Sequence, residues 1–246
     1  MECVTTSEQL RQALARPWPV ARLEGALARA PQVVCCLAGQ SLGQVCRWAV
    51  GPAALTWREG QVWHDPAALA RTRLAAGVWR DPEGTPFFGG DQAELLDLLP
   101  AGATDRLLQG LDEASGYRPI EPPAADATDL LGLYRDTGGQ WIEGLLPGAP
   151  EAALYVAGYD FAALVASEEA ATLSLPGGSE LRLEVLALPR LVAAAVRSSP
   201  QRDAPPLLDE ELARALPYGA CRAVVAFADG LSEIGGPLAA CRFPER

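Results

Sequence analysis

The sequence predicts an α+β fold made of two tandem repeats related by a pseudo-two-fold axis, each an antiparallel β-meander of about four strands packed with helices. The first observation is an internal repeat. Arg22 to Val45, RLEGALARAPQVVCCLAGQSLGQV, returns 119 positions later as Trp141 to Leu164, WIEGLLPGAPEAALYVAGYDFAAL. Without a gap, Glu24 falls on Glu143, Gly25 on Gly144, Leu27 on Leu146, Ala30-Pro31 on Ala149-Pro150, and Ala38-Gly39 on Ala157-Gly158. Self-similarity at a fixed period is a sequence signature of repeated architecture. Second, helical and strand-like segments follow one another in the same order on both sides of the chain's middle. Third, Tyr117 to Ala127, YRPIEPPAADA, is rich in proline and poor in large apolar groups, as a linker is. The expected division is residues 1–117 for the first repeat, 118–127 for the Pro-rich linker and 128–246 for the second.

In order, Ser7 is a candidate cap for SEQLRQALAR, whose Leu10 and Leu14 have helical spacing. Pro17 ends that helix, and a short helix over Ala21 to Ala30 follows. Strand-like runs are expected at Val33 to Ala38, Val45 to Val50, Ala54 to Arg58 and Gln61 to His64, the last two joined by a tight turn at Glu59-Gly60. Asp65-Pro66 opens a long helix to Trp79, with Asp as cap and Pro in the first turn. A Pro/Gly loop carries Phe87-Phe88, Asp91 caps a helix broken by Pro100, and 106–111 closes the unit as a strand or short helix. The cycle restarts with Thr128 capping DLLGLYR. Strands are expected at Ala153 to Ala157, Phe161 to Ala166, Ala171 to Leu175 and Leu181 to Leu186, then helices at Leu188 to Arg197 and Asp209 to Leu216, and a closing segment at Ala223 to Phe227.

Bulk composition narrows the function classes. The chain has 246 residues, 49% of them hydrophobic, enough to bury a sizeable core without a metal or disulfide staple. All 20 basic residues are arginine. The formal net charge is −11; residues 1–118 hold eleven Arg against thirteen acids, and the remainder nine against eighteen. That field repels phosphate backbones, so nucleic acid is not an expected partner, and a basic protein or peptide is. No apolar run approaches the roughly 20 residues of a bilayer span, and no secretory leader is evident. The six cysteines include no Cys-x-x-Cys, so a reducing cytoplasmic location is expected. One histidine and scattered cysteines suggest no zinc site, and no cofactor is expected.

Gly39-Gln40-Ser41-Leu42-Gly43 matches G-x-S-x-G after an apolar strand-like run, the spacing of a hydrolase nucleophile. Ser41 would need His64 or Asp229 as its base. The second copy writes Gly158-Tyr159-Asp160-Phe161-Ala162, keeping the first glycine and losing the serine, which favours a structural role. His64-Asp65 is a second candidate pair, with Asp65 better explained as a helix cap. Asp209, Glu210 and Glu211 start a helix, where negative charge is favourable.

The copies differ most in tryptophan: the first holds Trp18, Trp48, Trp57, Trp63 and Trp79, the second only Trp141. Large aromatics dominate binding hot spots. The expected function is a non-catalytic protein-binding protein (an adaptor, secretion chaperone or immunity-type inhibitor) using Trp57, Trp63, Phe87 and Phe88 as anchors and Asp209, Glu210 and Glu211 for steering. The alternatives are a serine hydrolase using Ser41 and a small-molecule binder at the cleft between repeats. In plan, two quasi-symmetric sheet-plus-helix halves are similar to the chaperones of type VII secretion, although no motif specific to that family occurs.

Overall fold

Thr6, one residue earlier than expected, starts the first helix, α1 (Ser7–Leu14). Its hydroxyl accepts from the Gln9 amide, and the Gln9 side chain accepts in return from the Thr6 amide at 3.1 Å, a reciprocal capping box. The computed structural model describes residues 1–58, 61–89, 94–122, 139–175, 180–201 and 204–232. The expected helices capped by Asp91 and Thr128, the 123–127 part of the linker, and Cys241 lie wholly or partly outside them.

The chain is mixed α+β, with helices and several small sheets. Strands β2 (Ala21–Glu24), β3 (Val34–Leu37) and β6 (Val78–Trp79) form one antiparallel sheet in that order, in register Ala21↔Leu37 and Leu37↔Val78. Between β3 and β6 the chain makes α2 (Leu42–Ala49), the hairpin β4 (Leu55–Arg58) and β5 (Gln61–His64), and α3 (Pro66–Gly77). After β6 come α4 (Leu95–Leu98) and α5 (Ala101–Ala114). Beyond the linker, β7 (Gln140–Ile142) and β11 (Val196–Arg197) flank β8 (Ala152–Val156), again antiparallel. Between β8 and β11 lie α6 (Phe161–Ala170), the hairpin β9 (Thr172–Ser174) and β10 (Glu180–Arg182), and α7 (Leu188–Ala195). Helices α8 (Glu210–Ala215) and α9 (Tyr218–Leu231) close the described chain.

Three expectations are corrected. The short helix over Ala21 to Ala30 is instead β2 and a bend in which Gly25 takes φ +68°, a left-handed conformation that costs other residues strain. The strands expected at Val45 to Val50 and Phe161 to Ala166 are the helices α2 and α6. Leu42, Val45, Cys46 and Ala49 are buried at helical spacing, and Ser41 and Asp160 cap the two helices. The closing segments belong to the 14-residue helices α5 and α9. A helix therefore interrupts each expected meander, splitting it into a three-stranded sheet and a separate hairpin.

Several backbone bonds occur at matching places in both halves. Ala30 N–H donates to Leu27 at 2.9 Å and Ala149 to Leu146 at 2.9 Å; Val33 donates to Ala30 at 3.0 Å and Ala152 to Ala149 at 3.0 Å. Gly144 takes φ +71°, close to the Gly25 value. Ser115 Oγ accepts from Gln40 N at 2.8 Å, and Ser232 Oγ from Tyr159 N at 3.0 Å, so each last helix is tied to the end of its central strand.

The halves share a core. Strand β1 (Glu2–Cys3) joins β8 in parallel, pairing Glu2 with Ala152. Val4, Leu10 and Ala13, with Leu42 and Cys46, are buried in one cluster with Leu154, Val192, Leu216 and Phe227. A smaller cluster around Leu37, Leu74, Leu107 and Leu111 belongs to the first half alone. Among the described residues no helix is long and apolar enough to cross a membrane.

Candidate functional site

Ser41 has a structural occupation. It is the N-cap of α2, where its hydroxyl accepts from Gln44 N at 3.3 Å and its own amide donates to the Gln44 side chain at 2.8 Å. Its backbone bridges Pro217, and Leu42 N–H donates to Leu216 at 2.9 Å. The motif's glycines are there for room: a Cβ at Gly39 would come within 2.8 Å of the Ala114 carbonyl and the Trp18 ring, and one at Gly43 within 3.0 Å of the Arg214 carbonyl. Asp160 stands 119 residues on and caps α6 in the same way, accepting from Ala163 N at 2.8 Å. Among the described residues no hydrogen bond joins Ser41 to His64 or to Asp229, which lies on α9.

His64 ends β5, and Asp65 caps α3, accepting from Ala67 at 2.9 Å and Ala68 at 3.1 Å. Partial burial lowers the His64 pKa, against an opposing pull from Asp65, so the imidazole is held neutral below its ordinary range. Its Nε2 is shut from solvent without a partner, as is the Thr56 hydroxyl across the hairpin. Thr56, Trp63, His64, Asp65 and Pro66 line an open pocket of ≈ 260 Å³.

Among the expected anchors, Trp63 is 56% exposed. Trp57 is placed on β4, in register with Val62. Phe88 lies in the first half's core at 4% exposure, and Phe87 packs edge-on against it with ring centres 5.0 Å apart. Phe88 therefore offers no surface for a partner. Trp18, Trp48, Trp79 and Trp141 are half-buried. On the acidic side, Asp209 caps α8 through Leu212 N at 2.8 Å, Glu210 pairs with Arg190 at 2.6 Å, and Glu211 is exposed.

One polar cluster escaped sequence reasoning. Buried Arg73 of α3 donates to Asp112 of α5 at 2.6 Å and to the Gln40 side chain at 2.9 Å, with its guanidinium 4.7 Å above the Tyr218 ring. Arg222 of α9 reaches the other Asp112 oxygen, and Tyr218 N–H donates to the Gln40 carbonyl at 2.7 Å. The cluster clamps α9 of the second half onto the first. Its hydrogen-bonded pairs lie 33 residues (Gln40 and Arg73) to 178 residues (218 − 40) apart in sequence, so no local pattern signals it.

Burial pushes the Cys46 thiol up to about 11 and raises Cys221 as well, which keeps both protonated and unreactive. The five described cysteines are free. Among the described residues no group of three or more His, Cys, Asp or Glu side chains could hold a metal ion. Comparison with protein-family models, curated proteins and solved structures finds no match to this chain. A functional reading rests on its own residues.

Proposed function

We propose that the protein is a non-catalytic binding protein, an adaptor, secretion chaperone or immunity-type inhibitor, that grips a protein or peptide partner of basic character through Trp63. The exposure of that ring carries the reading. An indole 56% open to solvent at the end of a two-stranded hairpin contributes little to folding, whereas buried in an interface it supplies a large contact area at low entropic cost. The next-to-last residue of the second strand, where Trp63 stands in this hairpin, is Leu181 in the other. The aromatic is thus peculiar to one half. The net charge of −11 favours a basic partner.

The scaffold under this reading is an internal duplication whose halves are related by a pseudo-two-fold axis. The paired loop bonds, the matched left-handed glycines and the two cap residues Ser41 and Asp160 support it. A pseudo-symmetric pair in one chain is equivalent to an isologous dimer, in which one half is free to specialise. The cap role of Ser41 speaks against the hydrolase alternative.

Capture from extract of the native host, quantified by mass spectrometry for the wild type and Trp63→Ala, tests this. The expected result is a protein retained by the wild type and lost by the variant. Equal capture by both, or labelling of Ser41 by a fluorophosphonate probe, would overturn it.

A further inference from the structure

The pocket beside Trp63 has a definite chemical character. Its described lining contains a carboxylate (Asp65), a hydroxyl (Thr56), an imidazole (His64), an indole (Trp63) and a proline, and no basic group. We propose that this pocket binds the guanidinium of an arginine side chain presented by the partner, stacked on Trp63 and facing Asp65. The proposal rests on the binding reading above and names what the anchor recognises.

Three features select that ligand. An indole face attracts a cation through its quadrupole, and more strongly when the pair is desolvated. Asp65 spends one carboxylate oxygen, Oδ1, on the two amides it caps, and among the described residues the other accepts no hydrogen bond. Thr56 Oγ1 and His64 Nε2 are buried without partners in the pocket's lining residues, a costly state for polar atoms. A hydroxyl accepts, and a neutral imidazole accepts at Nε2 when its proton is on Nδ1. The burial that lowers the His64 pKa keeps it in that accepting form. A planar group with five donors serves several acceptors while its face lies on an aromatic ring, which a compact ammonium does less well. Both orphaned atoms are closed to solvent, so pairing them with a guanidinium requires the side chains around them to move; Trp63, cross-strand neighbour of Thr56, is exposed enough to turn.

The test is a titration of the full chain followed by NMR at the Trp63 indole N–H, the signal being assigned by its loss in Trp63→Phe. The probe is N-acetyl-arginine methylamide, with the citrulline analogue as an uncharged control of the same shape. The expected result is a saturable shift with the arginine probe and none with citrulline. Asp65→Asn keeps an oxygen to cap α3 but loses the charge, and should weaken binding about two- to fivefold. No response to the arginine probe, or an equal response to both, would overturn the proposal. The anchor reading fails separately. If arginine binds but partner capture is indifferent to Trp63→Ala, the cation site stands and the anchor does not. If capture needs Trp63 while the arginine probe is silent, the reverse holds.

Discussion

Ser41 and Asp112 show how far a residue's role departs from its appearance in sequence. Ser41 sits in a hydrolase-like pentapeptide and works as a helix cap. Ser41→Ala should lower stability by about 1 kcal/mol, and Ser41→Asp should restore it, since Asp160 does the same work in α6; urea denaturation measures both. Asp112 looks like an ordinary helix acid, yet its two carboxylate oxygens join buried Arg73 to Arg222. Asp112→Ala leaves a buried guanidinium uncompensated and should cost about 3–5 kcal/mol in the same measurement. His64 gives a pH signature. Its pKa is lowered in the fold, so the unfolded chain binds the proton more readily, and stability falls as pH drops below the ordinary value of 6.5 toward the lowered one. Stability curves of the wild type and His64→Gln should therefore run parallel above 6.5 and separate below it, the wild type losing more.

At the scale of elements, legibility followed local chemistry. The two hairpins of the first and second halves, the Asp65-Pro66 helix start and the Asp209 cap were all readable, because turn and cap residues act within a few positions. Helices α2 and α6 were not. Their valines, aromatics and alanines read as short apolar strands, and periodicity alone cannot separate a buried strand from a buried helix segment. Of the caps that decide the matter, Ser41 sits inside the very motif that suggested catalysis, and Asp160 stands at the matching place of the second copy. In the candidate site Trp63 was legible as a large aromatic in a hairpin. The burial of Phe88 was not, because it depends on the approach of α3 and α5. The bend after β2 is a point of local strain: Gly25→Ala and Gly144→Ala each place a side chain at positive φ and should each cost about 1–2 kcal/mol, again read from denaturation midpoints.

At the scale of the whole molecule, the N-terminal strand and helix pack into the second half's core, and the Arg73–Asp112–Arg222 cluster ties α9 back to the first. The halves should then unfold together. Five of the six tryptophans precede residue 118, so tryptophan fluorescence reports chiefly on the first half and far-ultraviolet circular dichroism on both. Coincident urea transitions are expected, and a fluorescence transition at lower urea would show the first half opening alone. On the binding function we propose, the surplus negative charge would steer a basic partner and the exposed indole would hold it. Steering charges act mostly on association and weaken with salt, whereas anchors act on dissociation. The decisive measurement is the dissociation rate of the captured partner from wild type and Trp63→Ala at low and high salt. The account predicts dissociation faster by at least about thirtyfold, the equivalent of about 2 kcal/mol at a hot spot, at both salt concentrations. An unchanged dissociation rate, with any loss of affinity confined to association at low salt, would contradict it.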